Sequence, residues 1–481
     1  MDPTFIEWLN GFVWGTPLVV LCLAAGLYFS VRTGFLQVTF LKEMVRLLFQ
    51  GKESARGVSS FQAFAIAISG RVGTGNIAGV ATAILMGGPG ALFWMWIIAF
   101  LGASSAFVEA TLGQIYKRVV RGEYRGGPSY YIEKGLGMKW YAILFSVVTI
   151  VSMTFFLPAI QSQSIAKGME TAFQIDRLYT GIAVAAALGL VIFGGVKRIG
   201  HVAQVVVPFM AIGYILMAVI IILLNIGQVP AVFGLIFKSA LGLEPAFGAI
   251  VGTAISAGVK RGIFSNEAGQ GTAPHAASAA EVSHPVKQGL VQAFSVYIDT
   301  LFVCTATGLM VLFTGQYNVA GPGGGLLVQN IDAGISGPGF TQYAVESVFP
   351  GIGHGFVAIA LLFFVFTTLM AYYYMAETNL TCLDQDGKHP WLINVLRVVT
   401  LATIVYATFV TSGSAWEMGD IGVGLMAWLN IIAILLLQKP ALKALADYRV
   451  QKRAGKDPVF DAKSTGIANA DYWQEKNRQN V

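Results

Sequence analysis

Residues 69–79 read SGRVGTGNIAG and lie at the centre of an apolar segment that extends over residues 60–86. The stretch contains four glycines together with an arginine, an asparagine, a threonine and a serine. In the bilayer core an unpaired backbone N–H or C=O group costs several kcal/mol, so non-helical backbone persists only where protein or a cavity satisfies it. The stretch therefore predicts a membrane helix that is interrupted at its centre, with polar groups beside the break.

The composition around this stretch is that of a polytopic membrane protein. Of 481 residues, 55% are hydrophobic and 12% are charged, which is about half the charged fraction of a soluble domain. So few charged residues exclude a soluble globular protein of this length. The net charge of +6 is concentrated in the connections between apolar segments, which indicates membrane topology rather than nucleic-acid binding.

Recurring apolar runs predict an all-α polytopic membrane protein with about eleven transmembrane helices. One span, 13–31, stands alone and is followed by an amphipathic basic segment. Two sets of five spans follow: 60–86, 90–116, 140–166, 179–195 and 201–225, then 246–279, 286–314, 344–376, 390–411 and 415–437. The predicted domains are residues 1–57, 58–228, 229–438 and a cytoplasmic tail, 439–481. A less apolar connection, which contains PAVFGLIFKSALGLEP, separates the two sets.

The two sets of spans predict an inverted repeat. An odd number of spans in each set forces the halves into opposite orientations, as in many secondary transporters. Residues 75–79 read GNIAG and residues 265–269 read SNEAG, so both contain Asn-x-Ala-Gly at corresponding places. Lys and Arg, including Lys52, are concentrated in alternate connections and in the tail. This asymmetry predicts an external N-terminus and a cytoplasmic C-terminus.

The second interruption reads KRGIFSNEAGQGTAPHAASAAEVSHP over residues 260–285. Charged side chains are costly at membrane depth unless they are paired or hydrated. Lys260 and Arg261 therefore either lie in an aqueous vestibule and neutralise Glu267, or contribute to a binding site. The segment also offers one aromatic wall and two hydrogen-bonding side chains to a cavity, namely Phe264, Ser265 and Asn266.

Other polar residues in the predicted spans have two interpretations each. Gln161 either reaches a central cavity or bonds a neighbouring helix. Thr367 and Thr368 either bond back to their own helix or supply oxygen ligands to a cation. Glu109 and Asp299 are either ion-coupling groups or buried helix partners, and the second interpretation is favoured for Glu109. The glycines of residues 69–79 have the alternative role of allowing close helix packing.

Three stretches together resemble the alanine or glycine:cation symporter family, whose members include sodium:alanine symporters. They are SGRVGTGNIAGVATAI, GGPGALFWMWIIAFLGASSAFVEATLGQIYK and KRGIFSNEAGQGTAPHAASA. The similarity extends over nearly the whole chain. It implies a leucine-transporter-like five-plus-five inverted repeat with one extra N-terminal helix. It also implies sodium-coupled import of alanine and glycine across a bacterial inner membrane by alternating access.

The resemblance also implies where the substrates bind. The amino acid is expected at the two interruptions, and the co-transported sodium ion beside the first. The implied substrate-binding residues are Gly73, Thr74, Gly75, Asn76, Gln161, Phe264, Ser265 and Asn266. The implied sodium ligands are the carbonyl groups of Ser69 and Val72 and the hydroxyl groups of Thr367 and Thr368. The choice of Gln161 over Gln163 stays open, and Arg71 is expected to pair with Glu267.

Three alternatives to a sodium symporter stay open: a channel, a non-transporting amino-acid sensor and a proton-coupled amino-acid transporter. A membrane enzyme is disfavoured, because the five histidines are scattered and no His-Glu-x-x-His motif is present. Three dispersed cysteines, Cys22, Cys304 and Cys382, are expected to be packing residues.

Overall fold

The helix that leads into SGRVGTGNIAG begins at a capping box. In this computed structural model, which describes residues 3–51 and 53–479, the Gln62 backbone N–H donates to Ser59 Oγ at 3.2 Å. The Ser59 backbone N–H donates to Gln62 Oε1 at 2.9 Å. This reciprocal pair satisfies two backbone donors at the start of the helix. Lys52, which is predicted to be cytoplasmic, lies outside the described residues, as do Met1, Asp2, Asn480 and Val481.

The described residues are mainly helical. The α-helices of the first part are α1 (Pro3–Val13), α2 (Thr16–Arg32), α3 (Leu36–Thr39), α4 (Leu41–Leu48), α5 (Ser60–Arg71), α6 (Val80–Gly87), α7 (Gly90–Ile115), α8 (Pro128–Tyr131), α9 (Lys139–Val151), α10 (Leu157–Phe173), α11 (Arg177–Ile192) and α12 (Gly195–Leu224). Those of the second part are α13 (Val229–Ala240), α14 (Val251–Asn266), α15 (Ala273–Ala279), α16 (Pro285–Val296), α17 (Thr305–Phe313), α18 (Gly339–Val348), α19 (Gly353–Leu383), α20 (Trp391–Ala407), α21 (Ser412–Leu436), α22 (Gln438–Arg453) and α23 (Asp471–Gln479).

Wider and tighter helical turns join some of these elements. The π-helical segments are Gly75–Gly79, Ile132–Leu136, Ser152–Phe156 and Tyr297–Cys304, and the 3₁₀ segments are Ile226–Gln228 and Pro245–Ile250. Segments of π-helix often occur at functional sites, because they re-aim side chains and free backbone groups. Two of the four, Gly75–Gly79 and Tyr297–Cys304, lie at the candidate site described below.

Seven helices among the described residues are long and apolar enough to cross a membrane. They are Phe5–Arg32, Gly90–Ile115, Lys139–Phe173, Gly195–Leu224, Pro285–Phe313, Gly353–Leu383 and Ser412–Leu436. The bent pair of Ile226–Ala240 and Pro245–Asn266 counts as an eighth if it forms one span, and Gly75–Gly87, Arg177–Ile192 and Trp391–Ala407 are shorter apolar helices. The structure therefore agrees with the predicted class of polytopic membrane protein. The count of eleven transmembrane helices and the inverted repeat stay predictions.

Two features differ from the expected pattern. The predicted connection after residue 228 contains helix α13, whose Pro230 lies in the first turn, where a missing N–H group is tolerated. Within the residues that the structure describes, two short β-hairpins also interrupt the all-α pattern. They are β1 (Arg118–Val120) with β2 (Glu123–Arg125), and β3 (Asn318–Ala320) with β4 (Leu326–Gln329). The first hairpin turns at Arg121 and Gly122, whose φ angles are +52° and +82°, as two-residue hairpin turns require.

Helix α7 is the centre of the packing around the candidate site. It lies against α14 on one side and α16 on another. Gly262 of α14 faces Ile98 of α7, and Gly289 of α16 faces Thr111, and at both glycines an added Cβ atom would overlap the facing side chain. Small residues at these crossings let the backbones approach closely, as in other membrane helix pairs.

The C-terminal tail packs against one end of α7 and one end of α16. The Trp473 Nε1–H group donates to the Gln114 carbonyl oxygen at 2.8 Å. Lys287 forms an ion pair with Asp457 at 2.7 Å. The tail from α22 onward is therefore packed against the rest of the fold within its described residues. It contains helices α22 and α23, and its cytoplasmic location stays a prediction.

Candidate functional site

The first break follows Arg71, where α5 ends. Val72 has extended backbone (φ −81°, ψ 92°), and the chain returns to helix at the π-helical segment Gly75–Gly79. A Cβ atom on Gly73 would lie 2.6 Å from Thr368 Oγ1 and 3.0 Å from Gln161 Oε1. Only glycine therefore fits between α10 and α19 at this position, which explains one of the four glycines in the stretch.

Buried side chains satisfy the backbone groups that the first break frees. Gln161 Oε1 accepts from the Thr74 backbone N–H at 3.0 Å and from Thr74 Oγ1 at 2.8 Å. Asn76 Oδ1 accepts from the Gly73 backbone N–H at 2.8 Å. Of the two candidate glutamines, Gln161 is the one that contacts the break. These contacts favour a built site over glycines that serve only helix packing.

The predicted sodium ligands are not all directed to one point. Thr368 Oγ1 lies 3.2 Å from the Val72 carbonyl oxygen, so these two oxygens meet at the break. Thr367 Oγ1 instead bonds back to the carbonyl groups of its own helix and lies 3.6 Å from Met210 Sδ. Its hydroxyl is therefore directed away from the break. The hydroxyl of Ser69 donates to the Ala65 carbonyl oxygen at 2.8 Å, and the carbonyl group of Ser69 stays a predicted ligand.

The second break begins after Asn266, where α14 ends. Glu267, Gly269 and Gly271 have φ angles of +55°, +86° and +83°. Asn266 Oδ1 accepts from the Ala268 backbone N–H at 3.0 Å. The amide oxygen of Asn266 therefore stabilises its own turn, and within the described residues no hydrogen bond joins Asn266 to the first break.

Glu109 of α7 holds the second break in place. Its Oε2 atom accepts from the Gly271 backbone N–H at 3.0 Å and from Asn430 Nδ2 at 2.7 Å. Asn430 Nδ2 also donates to the Gly269 carbonyl oxygen at 2.9 Å. Glu109 thus joins the break to α21, which agrees with its favoured interpretation as a buried helix partner.

The two breaks meet at Asp299, which lies in the π-helical segment after α16. Asn76 Nδ2 donates to Asp299 Oδ1 at 2.6 Å, and Ser265 Oγ lies 3.0 Å from both carboxylate oxygens. Thr300 Oγ1 donates to Asp299 Oδ2 at 2.6 Å. The predicted substrate-binding set omits Asp299. Its acidic side chain within a span is a recognisable signal, but sequence spacing does not reveal which residues it contacts.

An aromatic wall lies beside the meeting point. The rings of Phe264 and Trp416 are 5.2 Å apart between centroids. A Cβ atom on Gly75 would lie 3.2 Å from Phe264 Cδ1 and 3.3 Å from Ser265 Cα. The structure therefore brings the predicted residues Gly75, Phe264 and Ser265 into one close contact region.

The interpretation in which Lys260 and Arg261 neutralise Glu267 is wrong. Both side chains pair with Asp420 of α21, Lys260 at 2.9 Å and Arg261 in a two-pronged contact at 2.8 and 2.9 Å. α14 presents these cations to α21, and the Arg261 guanidinium carbon lies 4.3 Å from the centroid of the Trp416 ring, beside the aromatic wall. They border a polar cavity of about 330 Å³ that also includes Glu7.

The predicted pair of Arg71 and Glu267 is also absent among the described residues. Arg71 donates to the Gln292 carbonyl oxygen at 3.1 Å and to Ser295 Oγ. Its guanidinium group is directed toward α16, since that helix packs against α5. Glu267 Oε2 instead faces Gly70, where an added Cβ atom would lie 3.2 Å away.

Comparison with known proteins gives consistent results. The family described as the sodium:alanine symporter family matches residues 2–462. The chain is 60% identical over 472 residues, 98% of each chain, to a Bacillus subtilis protein named putative sodium/proton-dependent alanine carrier protein YrbD. It is 46% identical to the probable sodium/glutamine symporter GlnT of the same organism, over 94% of this chain and 91% of the relative.

Solved structures of transporters share the fold. One is a Na⁺-coupled sialic acid symporter in a substrate-bound outward-open state, with a TM-score of 0.51, 13% identity and coverage of 98% of both chains. Another is a manganese transporter of Eremococcus coleocola, with a TM-score of 0.51, 13% identity and coverage of 87% of this chain and 85% of that one. At this identity the likeness supports the fold alone.

Proposed function

Because the chain belongs to the sodium:alanine symporter family, we propose that it imports alanine and glycine together with sodium by alternating access. The members of this family are transporters, and this chain is accordingly a multi-pass membrane transporter and not an enzyme. We place it in a bacterial inner membrane, with the N-terminus outside and the C-terminus in the cytoplasm. The charge asymmetry of the connections supports this orientation.

The observation that carries the proposal is the first break. Its backbone leaves the helix at Val72 and returns at Gly75, and Gln161, Asn76 and Thr368 satisfy the freed groups. Backbone N–H groups at the start of the returning helix favour a carboxylate, and carbonyl groups at the end of the preceding helix favour a cation. One break thus offers the complementary charges that a sodium ion and a zwitterionic amino acid need.

The sodium position has support from two hard oxygens. The Val72 carbonyl oxygen and Thr368 Oγ1 lie 3.2 Å apart, and both are ligand types that alkali and alkaline-earth cations prefer. The carbonyl group of Ser69 is the third ligand in our proposal. Thr367, which the sequence also indicates, is excluded from the proposed set because its hydroxyl faces Met210.

A small pocket accounts for the proposed substrates. Phe264 packs against Gly75 and Trp416 against Gly79, so aromatic rings border the first break and leave little room for a substrate side chain. Each extra methylene that the pocket must accommodate is expected to cost about 1–3 kcal/mol in discrimination. We therefore expect glycine and alanine to be accepted and glutamine to be rejected, in contrast to what the name of the relative GlnT indicates for that protein.

Reconstitution into liposomes tests the function directly. Labelled alanine is expected to accumulate when sodium is imposed outside and to equilibrate without accumulation when sodium is equal on both sides. A pH gradient alone tests proton coupling, a second candidate that the name of YrbD favours. Accumulation that follows the pH gradient and ignores sodium would overturn sodium coupling. Binding of alanine without any uptake would instead support the sensor alternative.

A matched pair of variants tests the site. Gln161→Leu removes the acceptor of Thr74, while Gln163→Leu changes a neighbouring buried glutamine for which the described residues show no hydrogen bond to the break. Because a lost partner leaves a buried backbone donor unsatisfied, at a cost of about 1–3 kcal/mol, Gln161→Leu is expected to abolish most uptake. Equal activity of the two variants would contradict the assignment of Gln161.

A further inference from the structure

Asp299 occupies the junction between the two breaks and has no role in the proposed binding set. Its side chain is fully buried. Its carboxylate accepts from Asn76, Ser265 and Thr300, and these contacts come from three different segments of the chain. Within the described residues no ion pair to Asp299 is found, and the hydrogen bonds from these three side chains hold its carboxylate between the two breaks.

The contacts of Asn76 continue from Asp299 to the first break. Asn76 Oδ1 accepts from the Gly73 backbone N–H at 2.8 Å, and Asn76 Nδ2 donates to Asp299 at 2.6 Å. Gly73 follows Val72, whose carbonyl oxygen contacts Thr368. Both polar ends of the Asn76 amide are therefore engaged within the protein. Asn76 connects the break to Asp299 and is less available to contact a substrate directly.

The contact of Ser265 continues from Asp299 to the second break. Ser265 is the penultimate residue of α14, and Asn266 ends this helix. The hydroxyl of Ser265 lies 3.0 Å from each carboxylate oxygen of Asp299. A movement of Asp299 must therefore move Ser265 or break these hydrogen bonds, since close-packed interiors transmit displacement between touching groups.

We propose that Asp299 is the positioning residue that transmits sodium binding at the first break to the amino-acid site between the two breaks. Sodium beside Val72 fixes the backbone conformation at Gly73, whose N–H group is hydrogen-bonded to the Asn76 amide. The fixed Asn76 amide in turn positions the Asp299 carboxylate, and this carboxylate holds Ser265 in its binding position. Each step is a direct buried contact, as energetic coupling between neighbouring sites requires. This inference rests on the proposed function, because it assumes that sodium and the amino acid bind at the two breaks.

The test measures binding of labelled alanine to the purified protein with and without sodium. The ratio of the two dissociation constants is the coupling between the ligands. In the wild-type protein we expect sodium to tighten alanine binding by about tenfold or more, within the usual range of such coupling. In Asp299→Asn the ratio is expected to fall to about threefold or less. A merely structural role would weaken alanine binding equally with and without sodium.

Cys304→Ala is the matched control. The Cys304 sulfur lies 3.3 Å from Asn76 Nδ2 and 3.1 Å from Ser265 Oγ, so it touches the same two residues as Asp299. It is neutral and belongs to the same π-helical segment, and its removal is expected to preserve the wild-type ratio. An Asp299→Asn protein with the wild-type ratio would overturn the proposal, and so would a Cys304→Ala protein that loses it.

Two further outcomes separate this proposal from the proposed function. A wild-type protein whose alanine binding ignores sodium would overturn sodium coupling itself and this inference with it. If Asp299→Asn fails to fold, as its thermal midpoint would reveal, Ser265→Ala is used instead. It removes the hydrogen bond between Ser265 and Asp299 and keeps the Asp299 carboxylate. That variant is then expected to lower the coupling ratio, and an unchanged ratio would overturn the role of Asp299.

Discussion

Replacement of Thr368 by valine is the sharpest test of the proposed sodium site. Valine keeps the branched shape and removes only the hydroxyl, which lies 3.2 Å from the Val72 carbonyl oxygen and 2.8 Å from the Phe364 carbonyl oxygen. Thr368 is fully buried, so water does not readily replace the missing oxygen. The neighbouring Thr367→Val variant makes the same chemical change on a hydroxyl that faces Met210.

The expected size of the effect follows from the lost contact. An interaction between a polar group and a charged group contributes about 1.5–3 kcal/mol. Since about 1.4 kcal/mol corresponds to a factor of ten, Thr368→Val is expected to raise the half-saturating sodium concentration by roughly 10- to 150-fold. Thr367→Val is expected to change it by about threefold or less, because no proposed ligand is lost.

The assay is sodium-dependent uptake of labelled alanine into liposomes, measured at saturating alanine over a series of sodium concentrations. The thermal midpoint of each variant shows whether the protein remains folded. A Thr368→Val protein with wild-type sodium dependence would refute the assignment of Thr368. A Thr367→Val protein with the larger effect would show that the other hydroxyl supplies the ligand.

Three further predictions concern packing, charge and pH. Gly73→Ala is expected to reduce uptake by about tenfold or more, because the added Cβ atom would lie 2.6 Å from Thr368 Oγ1. Gly213→Ala is the control and is expected to keep wild-type uptake, since the space around Gly213 is open. Glu109→Gln is expected to retain sodium-driven uptake, since one oxygen accepts both hydrogen bonds and an amide oxygen can replace it; loss of sodium dependence would instead assign Glu109 a coupling role. Burial holds the pKa of His284 below its ordinary value, so as pH falls below about 6.5 the unfolded chain takes up a proton before the folded one and stability declines. His284→Asn keeps a hydrogen-bond acceptor for the start of α16. Its thermal midpoint is expected to fall less than that of the wild type between about pH 7.5 and 5.5, and an equal fall in both proteins would contradict the role of His284 in the pH dependence of stability.

The breaks themselves could be predicted from single residues. Gly73 and Gly75 interrupt an apolar run where an uninterrupted membrane helix has no need of them, and the second segment repeats the pattern at Gly269 and Gly271. Backbone geometry agrees at both places, with extended backbone at Val72 and positive φ angles in the second segment. Local sequence was sufficient to locate the breaks, because glycine readily adopts backbone conformations that other residues rarely adopt.

The partners of charged side chains could not be predicted in the same way. Arg71 and Glu267 belong to the two breaks, yet Arg71 bonds to Ser295. Arg261 is close in sequence to Glu267, yet it pairs with Asp420, more than a hundred residues away. Sequence spacing describes the neighbours along one helix, whereas these partners depend on which face each helix turns toward another.

The sequence by itself determined the membrane class, the positions of the two breaks and the family. Each of these depends on hydropathy, glycine placement or motif identity, which are local properties of the chain. Only the tertiary structure decided that Thr368 faces Val72 while Thr367 does not, and that Asp299 joins Asn76 to Ser265. The physical reason is rotation about helix axes: a turn of about 100° per residue directs adjacent side chains to different neighbours, and packing of distant helices chooses which one is met.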